Sequence, residues 1–341
     1  MPTRAGGPAS LAVLRLSSFG DVVLAEPVTR RLKQAYPDCR IYFATHDEYR
    51  EIPALFACVD AVITYPRGPS GVTRGEGIPA EQLDAVIDLQ NSARSRLVAA
   101  GLRAHRVLRY RRQYVRRFLA VYLPWIWRGD LRHTIDLYFD ALRPLGVKHE
   151  GGFPTLCVPA DAAAAVPDHL AAGGFIGVCP GAGSIHKMWG SERFGSLISL
   201  LERQGHRVLV AGSARDRNVV DSAAAGHEGG NVVKYVAGSV TELAAALALC
   251  PVTVGNDSGL LHLAAGVGSS VVSVWGPTHP LLGFAPRAPG AAVVSRNLAC
   301  SPCSYHGNRP CRYARMKCFE DIEPGEVASL VSRVVRERGN G

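Results

Sequence analysis

The stretch 252–265 sets the strongest constraint on what this chain can fold into. Val252-Thr253-Val254 is an apolar run that reads as a buried strand, stopped by Gly255-Asn256-Asp257-Ser258-Gly259. The helix-period segment Leu260-Leu261-His262-Leu263-Ala264-Ala265 follows at once. A turn of this kind aims the free backbone N–H groups of a helix N-terminus at one point, which favours a bound phosphate. Ser258 adds a hydroxyl donor, Gly259 lets a ligand approach the backbone closely, and His262 falls one turn into the helix. An ordinary capped helix, with Asp257 or Ser258 as N-cap, accounts for the same residues equally well. The rest of the chain has to decide between the two.

The same strand–turn–helix grammar recurs. Residues 11–16 read as a parallel-sheet strand ending in Ser17-Ser18-Phe19-Gly20-Asp21, and a helix-period run over 22–35 closes at Tyr36-Pro37. Further strands are predicted at 40–44, 61–65, 85–89 and 107–110, with a Gly/Pro loop at 66–77 and helical character over 130–146. A Gly/Pro-rich crossing at 148–159 marks the domain boundary. Residues 175–179 then open a second series, ending in Pro180-Gly181-Ala182-Gly183-Ser184. After it come a helix at 191–203, strands at 207–211 and 232–236, a helix at 240–249, the opening stretch, and a strand at 270–275.

At 341 residues the chain exceeds the usual single-domain size. The prediction is an α/β protein of two Rossmann-like domains, 10–155 and 160–322, facing each other across a cleft. Both Gly/Ser turns lie at carboxyl ends of strands, where open α/β sheets bind ligands. An amphipathic helix near the C-terminus (323–341) is expected to pack back across the domains.

Charge narrows the partners. The net charge is +9, and no Asp or Glu occurs between Leu89 and Gly129. The same segment holds Arg94, Arg96, Arg103, Arg106, Arg109, Arg111, Arg112, Arg116, Arg117 and Arg128. Such asymmetry points to an anionic partner: a phosphorylated glycolipid, a membrane surface or nucleic acid. A solvated basic face would look the same. Arginine throughout favours phosphate or carboxylate recognition, because guanidinium binds both in a bidentate way. Nucleic acid fits less well, since only Tyr110, Tyr114 and Phe118 interleave as stacking residues. No window approaches about 18 uninterrupted apolar residues, which predicts no transmembrane helix. Residues 1–10 lack the apolar core of a signal peptide, so the nine cysteines are expected in a reducing cytoplasm.

Neither the G-x-G-x-x-G fingerprint nor the P-loop pattern occurs at any of these turns, which disfavours a hydride-transfer enzyme. Lys187, in an exposed-looking turn, could neutralise a diphosphate or simply be solvated. Asp216 follows a strand end, where an acid can accept from a ribose hydroxyl or stabilise the next helix. Asp21 is the candidate catalytic base, with a structural N-cap as the competing role. A helix N-terminus makes a carboxylate a weaker base, which still suffices if the acceptor hydroxyl loses its proton late. Cys300-x2-Cys303-x7-Cys311-x6-Cys318 is similar to a structural zinc site, with reduced thiols or a disulfide pair as alternatives.

Together these motifs resemble glycosyltransferase family 9, the lipopolysaccharide core heptosyltransferases. The likeness is carried by residues 14–23, by Pro180-Gly181-Ala182 with Lys187 and Trp189, and by residues 256–265 with Gly276-Pro277-Thr278. Gly190 departs from the proline many members have there. The resemblance implies a GT-B fold and inverting transfer of heptose from ADP-heptose to an inner-core acceptor, with no metal required for chemistry. It assigns Asp21 as base. It assigns Lys187, Asp257, Ser258, Gly259 and His262 to the donor, with Gly181 in the adjoining turn and Asp216 as a looser ribose contact. It also gives the basic stretch a purpose: Arg94, Arg96, Arg109 and Arg112 would meet an anionic, membrane-embedded acceptor at the inner leaflet. Another nucleotide sugar on the same scaffold is the nearest alternative. A nucleic-acid-binding protein with a vestigial nucleotide site is the alternative from another class.

Overall fold

The structure, a computed structural model, describes residues 7–68, 75–123, 131–149, 151–227, 230–313 and 315–339. Its contacts divide the chain into two compact units. The first comprises Met1–Arg112 and Arg132–Cys157, and the second Gln113–Leu131 and Val158–Gly341. The helix Tyr114–Tyr122 therefore belongs with the second unit, whereas the sequence assigned it to a domain spanning 10–155.

The first unit is a five-stranded parallel sheet: β1 (Ser10–Leu14), β2 (Arg40–His46), β3 (Ala61–Tyr65), β4 (Ala85–Asp88) and β5 (Val107–Arg109), in the order β3-β2-β1-β4-β5. The second is six-stranded and parallel: β6 (Phe175–Cys179), β7 (Arg207–Ser213), β8 (Val232–Ala237), β9 (Val252–Asn256), β10 (Ser270–Val274) and β11 (Ala292–Val294), in the order β11-β10-β9-β6-β7-β8. Strands covered on both faces should be apolar throughout rather than alternating. Accordingly β1, β6, β9 and β10 are buried at every position.

In each sheet the strand order reverses beside the first strand of its unit. The reversal falls between β1 and β4 in one and between β6 and β9 in the other. Connections diverge there to opposite faces, leaving a crevice at the carboxyl ends. The turns after β1, β6 and β9 lie at these points.

One local expectation is corrected, and one strand was not foreseen. The predicted helix 22–35 is two helices, Phe19–Val23 and Glu26–Ala35, because Pro27 has no N–H to continue the first ladder and instead starts the second. Strand β11 is three residues long, too short to register as a periodic pattern. The helix Pro324–Gly339 buries Val327, Ala328, Val331 and Val334 in the core of the second unit, packed with helix Ser191–Arg203 and β10. That is where its apolar face goes. The loop predicted at 66–77 lies partly outside the described residues.

Candidate functional site

In the first unit, β1 delivers Arg15 and Leu16 to the start of the turn, and helix Phe19–Val23 delivers Asp21. Arg15 is buried, and its Nη2 lies 2.7 Å from Asp21 Oδ2. The same oxygen accepts from Ser18 Oγ–H at 2.8 Å and from the Ser18 N–H at 3.3 Å. All three contacts converge on Oδ2, which leaves Asp21 Oδ1 without a partner among the described residues. Burial alone would push this carboxyl up. The Arg15 guanidinium and the two Ser18 donors outweigh it and hold the group below the usual carboxylate range. Asp21 is thus charged and bonded back to the N-cap residue Ser18 from the third position of the helix.

The turn is braced from β4 across the switch point. Buried Asp88 accepts from the Gln90 and Asn91 N–H groups at 2.9 and 2.7 Å and from Ser95 Oγ–H at 2.9 Å. Gln90 Oε1 in turn accepts from the Leu16 and Ser17 N–H groups at 2.8 and 3.1 Å. Arg15 Nη1 donates to the Leu89 carbonyl at 2.7 Å. Arg15, Asp88 and Gln90 were missed by sequence reasoning. A charged residue at the end of an otherwise apolar strand, at Arg15, was the available signal.

The second unit builds its site between the ends of β6 and β9. Asn256 is fully buried at the end of β9. Its Nδ2 donates to the Pro180 carbonyl at 2.7 Å, and its Oδ1 accepts from the Trp189 N–H at 2.9 Å. One side chain therefore fixes the Gly181 turn and the Lys187 segment together. Trp189 is anchored from behind by its indole N–H, which donates to the Phe319 and Ile322 carbonyls at 3.3 Å.

Lys187 Nζ lies 2.6 Å from Asp257 Oδ2, and Thr278 Oγ–H donates to that same oxygen at 2.7 Å. Lys187 is only partly exposed and not the solvated surface residue it could have been. Its aliphatic stem packs against Gly307, where any Cβ would overlap it, in the loop carrying the cysteines. That loop is tied down by the Cys303 and Ser304 N–H groups, which donate to the Pro277 carbonyl at 3.0 and 3.2 Å.

Helix Gly259–Gly266 begins at Ser258. Ser258 has the extended backbone of an N-cap, yet its side chain makes no capping bond. The Ser258 hydroxyl is buried without a hydrogen-bond partner among the described residues. Ser239 provides the contrast: at the start of helix Val240–Ala248 its hydroxyl accepts from the Glu242 N–H at 3.1 Å. Ser258 therefore departs from the ordinary capped helix. It leaves first-turn amides and a hydroxyl unused at the carboxyl end of β9, the arrangement that suits an anion. His262 is buried one turn further on.

Asp216 is brought against this turn. A Cβ at Gly181 would overlap its carboxylate, so a bare backbone is needed there. Its Oδ2 accepts from the Ser213 N–H at 2.9 Å and Ser213 Oγ–H at 2.6 Å, so Asp216 does cap its own turn.

Among the predicted acceptor arginines, Arg96 and Arg109 are exposed on the helix Ala93–Gly101 and at the end of β5, Arg94 is half-buried and Arg112 is exposed. Arg96 donates to Asn91 Oδ1 at 3.0 and 3.1 Å. Arg117 is not part of any basic surface. It is buried with its guanidinium 4.3 Å from the Phe284 ring centroid and donates to Tyr305 Oη at 3.0 Å. Arg128 lies outside the described residues.

Cys300, Cys303, Cys311 and Cys318 are all free thiols. Among the described residues no three His, Cys, Asp or Glu side chains stand close enough to hold a metal ion. Cys303 and Cys311 Sγ–H instead reach the Pro277 and Arg315 carbonyls. Burial, with a smaller influence from the other three thiols, pushes Cys318 up to about 12.

The family described as Glycosyltransferase family 9 (heptosyltransferase) matches residues 74–313. Lipopolysaccharide heptosyltransferase 2 of Salmonella typhimurium is 26% identical over 362 residues, covering 96% of this chain and 99% of that protein. The solved glycosyltransferase family 9 protein from Veillonella parvula superposes with a TM-score of 0.78 at 19% identity, covering 98% of this chain and 99% of its own. The E. coli heptosyltransferase WaaC, solved with ADP-2-deoxy-2-fluoro heptose, gives 0.66 at 20% identity over 95% and 99% of the two chains. At those identities the structural likeness speaks for the fold.

Proposed function

The chain belongs to glycosyltransferase family 9, the heptosyltransferases, and we propose that it moves heptose from ADP-heptose to a lipopolysaccharide inner-core acceptor with inversion. The observation that carries the donor half is the buried Ser258 hydroxyl, left uncapping at the N-terminus of Gly259–Gly266 beside the Lys187–Asp257 pair. In this reading the diphosphate accepts from the Ser258 hydroxyl and the first amides of that helix, near Gly259 and His262. Lys187 turns part of its charge from Asp257 to the phosphates. Asp257, held by Thr278, keeps the lysine in place between turnovers. The Gly181 turn and Asp216 border the nucleoside. The heptose-nucleotide ligand of the E. coli enzyme and the name of the Salmonella relative support donor and acceptor respectively.

The transfer is a displacement at the anomeric carbon. An acceptor hydroxyl oxygen forms the new glycosidic bond as the bond to the diphosphate oxygen breaks, and ADP leaves with that electron pair. The hydroxyl proton passes to Asp21, whose Oδ1 is uncommitted while Oδ2 is held by Arg15 and Ser18. A carboxylate this weakly basic fits a transition state in which the sugar carbon is already oxocarbenium-like and the proton moves late. Arg94, Arg96, Arg109 and Arg112 would meet acceptor phosphates, and the acid-free segment around them supports attachment to an anionic membrane surface. No helix among the described residues is long and apolar enough to cross a membrane.

The reading is tested by ADP release from ADP-heptose with a core glycolipid acceptor, comparing the wild-type enzyme with Lys187→Met. Loss of a charge-assisted contact of about 1.5–3 kcal/mol predicts donor affinity weakened by roughly 10–100-fold in the variant. Acceptor-dependent release in the wild type is required; binding of UDP-sugars in place of ADP-heptose would sink the donor assignment.

The same proposal invokes no bound cofactor, the diphosphate charge being met by Lys187 and the helix N-terminus. Elemental analysis of the purified protein checks the thiol geometry independently. Zinc well below one equivalent is expected, and a stoichiometric, tightly held ion would mean that the four cysteines close into a cage.

A further inference from the structure

The helix Tyr114–Tyr122 is amphipathic, with two faces of unlike fate. Arg117, Ala120 and Val121 are buried at the i, i+3, i+4 spacing of a core-facing stripe. The stripe beside it is apolar as well, and it is exposed. Tyr114, Val115 and Phe118 are 65%, 67% and 44% exposed, three of the few large apolar side chains the described surface presents. Tyr122 continues the ridge one turn on, its ring 4.9 Å from that of Phe118. A nine-residue helix seldom leaves such a stripe uncovered without a partner.

The surroundings specify the partner's charge. Arg116 on the helix is exposed, as are Arg111 and Arg112 just before it in the sequence, and exposed Arg309 places its guanidinium 5.1 Å from the Tyr122 ring centroid. No acidic residue occurs within the sequence from Leu89 to Gly129 that contains the helix. An apolar ridge fringed by arginine matches the headgroup boundary of an anionic bilayer, where aromatic rings sit among the acyl ends and guanidinium groups reach lipid phosphates. A second copy of this basic face would be repelled by the first.

We propose that Tyr114, Val115 and Phe118 form a membrane-inserting ridge that seats the enzyme on anionic lipid, with the neighbouring arginines supplying the long-range attraction. This rests on the reading above of a membrane-embedded glycolipid acceptor, and it names the element that makes the contact. Arginine alone would give attachment that salt abolishes; the ridge adds a component that salt does not screen.

The test is co-sedimentation of the full chain with vesicles of phosphatidylglycerol and phosphatidylethanolamine, at low and physiological salt. The comparison is with the Tyr114→Ser, Val115→Ser, Phe118→Ser triple variant, and with Phe118→Ser alone should the triple variant fold poorly. Partitioning should fall at least about tenfold in the triple variant and by a smaller factor in the single one. Transfer to a delipidated, water-soluble acceptor should stay unchanged, because none of the three residues belongs to the transfer machinery. Equal partitioning of variant and wild type would overturn the proposal. So would a dimer that the substitutions convert to monomer with vesicle binding intact, which would make a second copy the occupant. Wild-type turnover of the soluble acceptor without vesicle binding would remove the ridge and leave the transferase reading standing. Ridge-dependent vesicle binding without turnover would support the ridge and count against the transferase reading.

Discussion

Replacing Asp21 by Asn leaves donor binding intact and slows sugar transfer by roughly 10²–10⁴-fold, the range expected when a positioned base is lost. Asn retains the shape and an oxygen that Ser18 and Arg15 can still reach, so the turn survives while the proton acceptor disappears. The pH profile separates this role from a purely structural one. The Asp21 carboxyl is held below the usual carboxylate range, so it stays ionised from about pH 5 upward and contributes no acid limb there. Its ion pair stabilises the fold above the ordinary carboxylate pKa of about 3.9, and that contribution is lost as pH falls through the lower folded value. Arg15→Met should invert the balance. With the guanidinium gone, burial dominates, the Asp21 carboxyl rises, and an acid limb enters the measurable range of kcat against pH. A rate for Asp21→Asn within about threefold of wild type would remove the residue from the chemistry and leave it as a cap.

What was legible in the sequence is what local chemistry dictates. Fully apolar strands ending in Gly/Ser/Asp turns announce a parallel sheet whose loops bind, because buried strands carry no alternation and the turns need small residues. Thus β6, the helix Ser191–Arg203 and the Asp257-Ser258-Gly259 turn could be read directly. Partnership across the sheet could not. Arg15 reads as a lone charge at a strand end, and only the fold brings Asp21 to it from six residues on. Lys187 and Asp257 are 70 positions apart and meet because β6 and β9 are neighbours. Arg117 counted as one more positive charge in a basic run, whereas the structure spends it inside an aromatic pocket. The cysteine spacing carried half of a zinc signature and gave no sign of the backbone bonds to Pro277 or the contact with Lys187 that the same loop makes.

Asn256 is where that non-local dependence is most concentrated, and Asn256→Ala should be the most damaging single change in the second unit. The amide is fully buried and uses both ends: one donor to the Pro180 carbonyl and one acceptor for the Trp189 N–H. Alanine removes both partners and leaves two buried backbone groups unsatisfied at about 1–3 kcal/mol each, so a loss of roughly 2–6 kcal/mol in unfolding free energy is expected. The functional consequence differs from the thermodynamic one. Pro180 leads the Gly181 turn and Trp189 ends the segment bearing Lys187, so both edges of the proposed donor site lose their common reference while Ser258 and helix Gly259–Gly266 keep theirs. Donor affinity should fall even at temperatures where the variant is fully folded. Asn256→Asp separates the two bonds: its carboxylate still accepts from Trp189 but repels the Pro180 carbonyl, and it adds a buried charge. Denaturant midpoints paired with ADP affinity, measured on folded protein, decide the matter. An alanine variant within about 0.5 kcal/mol of wild type, or one destabilised with unchanged ADP affinity, would show that the two turns are held by their own sequences and not by this side chain.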